Sequence, residues 1–381
     1  MQDQRLGKEI RAYQADQFLL EKYRDAESGY LSLIEAREKA LRKWSLLQQG
    51  IYLFEILLTY LVAVIEFRRG AIAVGAFLMY VGASQELFQV VRDIFDNFVE
   101  MSLVTGYYQD YLDYMNLKET MSAAAAEADI PKDRTGSLEF KNVSFTYPGQ
   151  TEPAVRNVSF VIRPDEKAAF VGDNGAGKTT LIKLMLRLYD PTEGMIFYDG
   201  VDIRKYGYAD YLKLFSCAFQ DFRIFSYSLK ENICFDDENP EKLQDVIDKT
   251  MLDRVIQKCP DGVDTYLGKA FSERSVELSG GEQQSVAIAR AFYKDGRIAV
   301  FDEPTAALDP MKEHAAYEEL NDFCEGRMAV FVSHRMGSTI FCNKIFVLDE
   351  GRIVEEGDHS SLMEAKGLYY DMYEDQACYY R

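Results

Sequence analysis

Three zones follow one another along the chain. Residues 1–45 interleave acids and bases in a helix-forming pattern, with Gly7 and Gly29 as the breakers. Residues 46–91 are the most apolar stretch. Within them Leu46–Ile65 (LLQQGIYLFEILLTYLVAVI) matches the ~20 residues a bilayer crossing needs, although it carries Gln48, Gln49 and Glu55. Ala71–Ala83 is purer but shorter, and reaches Val91 only by admitting Ser84, Gln85 and Glu86. A polar break, Glu66–Gly70, separates the two runs. Hydropathy admits a transmembrane hairpin or a buried helical pair, because acids inside a membrane are costly. Arg37, Lys39, Arg42 and Lys43 ahead of the first run fit a cytoplasmic N-terminus, while Arg68 and Arg69 in the supposed outer loop count against that orientation.

From residue 138 onward short apolar strands alternate with helical patterns, the sign of an α/β domain. Leu117–Ser137, with its Ala123–Ala126 run followed by Pro131 and Gly136, reads as a frayed helix end and a linker. The chain therefore divides into a helical region over 1–120, a linker over 121–137 and an α/β domain over 138–381.

A length of 381 residues allows two or three domains, and 48% hydrophobic with 28% charged residues excludes a disordered chain. With 43 basic and 62 acidic side chains the net charge is −19. Bases number 13 against 19 acids up to residue 130, and 30 against 43 beyond it, so neither part is basic. That argues against nucleic acid as a partner, since displacing phosphate counterions needs positive charge. Six cysteines form no C-x-x-C pair, and His314, His334 and His359 share no metal-ligand spacing, so the thiols read as reduced packing groups. The first forty residues are too polar for a secretory signal.

Gly172-Asp173-Asn174-Gly175-Ala176-Gly177-Lys178-Thr179 satisfies G-x-x-x-x-G-K-[ST]. Lys167–Val171 before it reads as a strand and Thr180–Leu188 after it as a helix. Glycines let successive backbone N–H groups turn inward toward phosphate oxygens, aided by the helix N-terminus. Lys178 adds a point charge near the β/γ-phosphates, and the Thr179 hydroxyl can ligate Mg²⁺. The pattern arises by chance in roughly one such chain in a hundred, and its strand–helix context lowers that further. A second strand, Ile298–Phe301, runs into Asp302-Glu303. Carboxylates at the carboxyl edge of a buried parallel strand stand where α/β sheets bind ligands. Asp302 can then reach the Mg²⁺ shell and Glu303 can polarise a water.

Leu278-Ser279-Gly280-Gly281-Glu282-Gln283-Gln284, followed by AIARA, resembles the signature of ATP-binding cassette (ABC) proteins. Other cassette motifs follow in order. Tyr147 in FTYPG resembles the aromatic residue that stacks on adenine, and Gln220 in AFQDF the Q-loop glutamine. Ala307-Leu308-Asp309 resembles the D-loop, and His334 in FVSHR the switch histidine. The resemblance implies an α/β P-loop NTPase cassette with a helical signature subdomain. It implies ATP and Mg²⁺ as ligands, with nucleotide held by Tyr147, residues 172–179, Thr180 and the Ser279–Glu282 signature. Thr179, Gln220 and Asp302 would organise the metal, while Glu303, His334 and Gln220 would serve hydrolysis. Ser279, Gly280 and Gly281 open a helix and offer donors to an anion. In this family the signature of one cassette covers the γ-phosphate held by a second, so a partner cassette, alike or different, is implied. Departures are Glu282 where glutamine is common, Gln284-Ser285 where basic residues are frequent, and Ser272-Glu273-Arg274-Ser275 where exporters usually show Glu-Arg-Gly.

The front of the chain resembles the exporter branch of the family. Lys8–Tyr23 (KEIRAYQADQFLLEKY) looks like the loop with the second coupling helix, and 46–91 like the fifth and sixth transmembrane helices of a half-transporter. Phe88–Tyr114 would continue the last helix into the cytosol, and Glu55 and Glu86 would face the bundle or water, lining a path or pairing. The resemblance thus implies an all-α partial transmembrane region in a multi-pass cell-membrane protein, with its cassette in the cytoplasm. Four crossings of the family's six would have to come from elsewhere, because a lone hairpin cannot wall a route off from lipid. Met1 could be an internal start, a truncated gene or the second half of a split one, with a separate chain supplying the missing helices. The exported substrate is not legible. A soluble cassette ATPase, or a remnant that binds ATP and modulates another transporter, remain alternatives.

Overall fold

The structure is a computed structural model that describes residues 4–117, 127–131, 135–250, 252–268, 274–305, 310–333 and 336–380. The chain divides into two compact units, Met1–Lys118 and Glu119–Arg381.

The first unit is helical: α1 (Gln4–Ala12), α2 (Asp16–Arg68) and α3 (Val74–Met115). Gln14, at φ 51, turns the chain between α1 and α2. Gly7 and Gly29, expected as breakers, both lie inside helices. An exposed helical glycine costs about 1 kcal/mol relative to alanine, too little to interrupt the 53 residues of α2. Gly70, at φ 71, ends the hairpin's first arm, its N–H donating to the Phe67 carbonyl. Phe77 of α3 packs edge-on against Tyr60 and Phe67 of α2. Glu55 turns inward, 4% exposed. Its Oε1 accepts from the Thr59 hydroxyl at 3.2 Å and from the Ser84 hydroxyl of α3 at 3.0 Å. Glu86 instead faces outward. Along 46–91 nearly every large apolar side chain is exposed, from Leu46 to Val91.

Among the described residues, the strands of the second unit are β1 (Leu138–Phe145), β2 (Val155–Ile162), β3 (Lys167–Gly172), β4 (Glu193–Tyr198), β5 (Val201–Asp202), β6 (Phe215–Ala218), β7 (Ile298–Asp302), β8 (Met328–Val332), β9 (Lys344–Asp349) and β10 (Arg352–Gly357). Helix α4 (Lys178–Met185) follows β3, and α5 (Tyr208–Lys213) precedes β6. Between β6 and β7 come α6 (Leu229–Cys234), α7 (Pro240–Lys249), α8 (Asp253–Ile256) and α9 (Gly280–Lys294). α10 (Pro310–Phe323), α11 (His359–Ala365) and α12 (Leu368–Tyr380) complete it. The expected helix over Thr180–Leu188 is shorter at its end, because Arg187 adopts φ 52 and turns its guanidinium toward Asp190 and the Ile203 carbonyl.

One sheet is antiparallel, in the order β2-β1-β4-β5; the other runs β10-β9-β3-β8-β7-β6 and is parallel from β9 to β6. All residues of β7 and β8 are buried, as strands covered on both faces must be. One core fills the space between the sheets, where Phe140 stacks on Phe160 and Phe170 on Phe346. The other lies under α6, α7, α9 and α10. Parallel register sends β3 and β7 out at the same edge on either side of β8: Phe170 and Asp302 both pair with Val332.

Candidate nucleotide site

At that edge the chain after β3 wraps tightly. Gly172 has φ 148, and a Cβ there would lie 2.2 Å from the Leu348 carbonyl oxygen. Gly177, at φ 101, would bring a Cβ to 2.7 Å from the Ala154 carbonyl oxygen. Asp173, Asn174 and Gly175 form the exposed rim, while Ala176, Gly177 and Lys178 are buried. The Lys178 ammonium donates to the carbonyls of Gly172 and Asp173 at 2.7 and 2.8 Å. Burial draws this amine below its ordinary pKa, against the opposing pull of Glu303, Asp302 and Asp173. Tyr147, half-buried at the edge of β1, lies 3.1 Å by its hydroxyl from that of Thr180 and packs edge-on against Phe145 and Tyr189.

The carboxylates close the other side. Asp302 is 1% exposed. Desolvation pushes its pKa up to about 6, with Glu303 and Asp221 adding to the effect and the Thr179 hydroxyl and Lys178 opposing it. Its Oδ1 is buried without a hydrogen-bond partner. An orphaned carboxylate oxygen beside a threonine hydroxyl is what a hard divalent cation would satisfy, so these residues fit Mg²⁺. Glu303 adopts φ 49, and its N–H donates to the Val332 carbonyl at 2.8 Å. Its Oε2 accepts from the Gln220 amide at 2.7 Å. The structure therefore brings Lys178, Thr179, Gln220, Asp302 and Glu303 together.

The signature opens α9. Ser279 and Gly280 are exposed at its start, and the Ser279 N–H donates to the Glu282 carboxylate at 2.8 Å. Burial pushes the Glu282 carboxyl up, but the Lys258 ammonium paired with it and Ser279 outweigh that and hold it below its ordinary value. Lys258 thus gives Glu282 a reason to stand where glutamine is common. Sequence reasoning treated Gln284 only as a departure; it is buried and donates to the Glu303 carbonyl at 3.0 Å. It also passed over Arg290 in AIARA, which donates to the carbonyls of Arg223 and Asn232. His334, Ser272-Glu273 and Ala307-Leu308-Asp309 lie outside the described residues.

Residues 155–306 match the family model described as "ABC transporter". The subtilin transport ATP-binding protein SpaT of Bacillus subtilis is 31% identical over 379 residues, covering 97% of this chain and 60% of that protein. The ATP-dependent lipid A-core flippase of Escherichia coli strain K12 is 35% identical over 245 residues, 64% of this chain and 41% of the relative. A solved bacterial Atm1-family ABC exporter with ATP bound superposes with a TM-score of 0.82 at 26% identity, covering 97% of this chain and 64% of that one. The chain thus spans 60% and 41% of the lengths of these two curated relatives. Ser45–Arg68 and Val74–Ile94 are long and apolar enough to cross a membrane, and only 11% and 6% of their apolar windows are buried, unlike the core helices of a soluble protein. They are the membrane-associated segments, and the α/β unit lies outside them. The chain carries an ABC transporter nucleotide-binding domain fused to a partial transmembrane region.

Proposed function

We propose that this chain binds and hydrolyses ATP and is the energy-coupling part of an exporter. The observation that carries the reading is the meeting of Lys178, Asp302 and Glu303 at one sheet edge, with Gln220 bonded to Glu303. The 172–179 backbone and Thr180 would hold the phosphates, and Lys178 would exchange its loop carbonyls for phosphate oxygens. Tyr147 would stack on the adenine. Thr179 and Asp302 would hold Mg²⁺, with Gln220 reaching it partly through water. When bound, the ion neutralises charge on the phosphates. Glu303 would orient and polarise the attacking water, and His334 would contact the γ-phosphate.

The start of α9, with Ser279 and Gly280 exposed and Gly281 half-buried beside them, supports a partner cassette, alike or different, whose γ-phosphate it would cover. The hairpin supports a place in a membrane, in concert with further helices that would enclose the route of an exported molecule. Release of phosphate from Mg-ATP by the full chain tests the reading. Turnover is expected for the natural sequence and its loss for Lys178→Ala; a Lys178→Ala chain turning over at the natural rate overturns the assignment.

A further inference from the structure

We propose that Gln284 is a positioning residue for the Glu303 carboxylate, which makes the signature helix part of the device that aims the water-polarising group. The proposal rests on the role given to Glu303 above. Glu303 lies in the left-handed region at φ 49, which residues with a side chain adopt uncommonly. Among its contacts, three hydrogen bonds reach it from three directions. Its N–H donates to Val332, which extends the β7–β8 pairing by one residue. Its carboxylate accepts from Gln220, beyond the end of β6. Its own carbonyl accepts from the Nε2 of Gln284, reaching in from α9.

Of these ties, the one from Gln284 joins the residue's backbone to the helix that Ser279 and Gly280 open. Gln284 is 4% exposed, so its amide is committed to the interior rather than to water. Loss of that donor unties the Glu303 carbonyl, and the shift of backbone it permits swings the carboxylate off Gln220. Any displacement of α9 at its exposed Ser279 end is passed to the cassette's own Glu303 through this amide. A side chain that merely fills space would need its volume, and a positioning side chain needs its donor.

The test uses two variants of the full chain. Gln284→Met keeps the length and apolar volume but has no donor, whereas Gln284→Glu has a donor only when its carboxyl is protonated. The proposal expects kcat of Gln284→Met to fall by about tenfold or more, as for other displaced reacting groups, with KM for Mg-ATP and thermal melting little changed. Turnover of Gln284→Glu relative to the natural chain should rise as pH is lowered from about 8 to about 6, while the same ratio for Gln284→Met stays flat. A crystal structure of Gln284→Met should show Glu303 out of the left-handed region and off Gln220. Natural kcat in Gln284→Met, equal pH ratios for both variants, a joint collapse of KM and melting, or an unmoved Glu303 would each overturn the proposal. If the natural chain itself fails to hydrolyse ATP, the functional reading falls, and the crystal structure alone still decides whether Gln284 holds Glu303.

Discussion

The Gln220 amide donates to Oε2 of Glu303 across 2.7 Å, although the two residues stand 83 positions apart in the chain. The parallel pairing of β6 with β7 makes this possible, since Ala218 pairs with Phe301 and both chains then leave the sheet at one edge. Gln220, although exposed, is thereby tied to the carboxylate. If Glu303 polarises the attacking water, Gln220→Ala lowers kcat by about tenfold and Glu303→Gln by about a hundredfold or more, the range expected for a general base and its support. Steady-state phosphate release separates the two. Equal and small losses would argue that neither residue touches the reaction.

Asp302 predicts a pH dependence whose sign is fixed by its raised pKa. In the folded protein without metal the carboxyl holds its proton up to about pH 6, above its ordinary value of 3.8. Its contribution to stability is therefore full below that ordinary value and is lost as pH rises through about 6. At neutral pH the buried charge works against the fold, and Mg²⁺ held there would relieve it. Asp302→Asn should raise the melting temperature of the metal-free chain at neutral pH, by an amount corresponding to roughly 1–3 kcal/mol. The same change should remove the stabilisation that added Mg-ATP gives the natural chain. In that chain Mg²⁺-dependent stabilisation should weaken as pH falls through about 6, which calorimetry with and without Mg-ATP would show.

Gly172 has no room for a methyl group. Its φ of 148 and the Leu348 carbonyl oxygen 2.2 Å from the position of a Cβ mean that Gly172→Ala must move either β9 or the loop. Loss of nucleotide binding by at least about tenfold is expected, with the rest of the fold retained, because the surrounding strands are held by their own pairing. Gly175→Ala should be milder, since a Cβ there meets nothing within 4 Å and only its φ of 84 resists the change. Equilibrium binding of a fluorescent ATP analogue would rank the two, and equal effects would count against a cradle shaped by close approach.

The parts of the candidate site were legible because a phosphate-binding pattern is written in short stretches of sequence. The turn after Lys167–Gly172, the lysine and the acids after Ile298–Phe301 are read within short windows whose chemistry leaves few alternatives. What stayed hidden depends on register between distant strands. No local pattern says that β8 separates β3 from β7, that Gln220 meets Glu303, or that Gln284 reaches the Glu303 carbonyl. The hairpin's apolar runs were evident, yet the unbroken course of α2 through Gly29 was not, because a glycine's cost in a helix is small against a long run of helix formers. Hydropathy marked Glu55 as an expensive residue and could not name Ser84, 29 positions on, as its partner.

In the proposed reading ATP is clasped between the 172–180 loop of one cassette and the Ser279 end of α9 from another. The most direct measurement is the nucleotide kept by a Glu303→Gln chain after incubation with Mg-ATP and rapid desalting. The account predicts retained, unhydrolysed ATP, and its loss when either Lys178→Ala or Ser279→Arg is added. Retention that survives Ser279→Arg, or recovery of ADP from the Glu303→Gln chain, would contradict it.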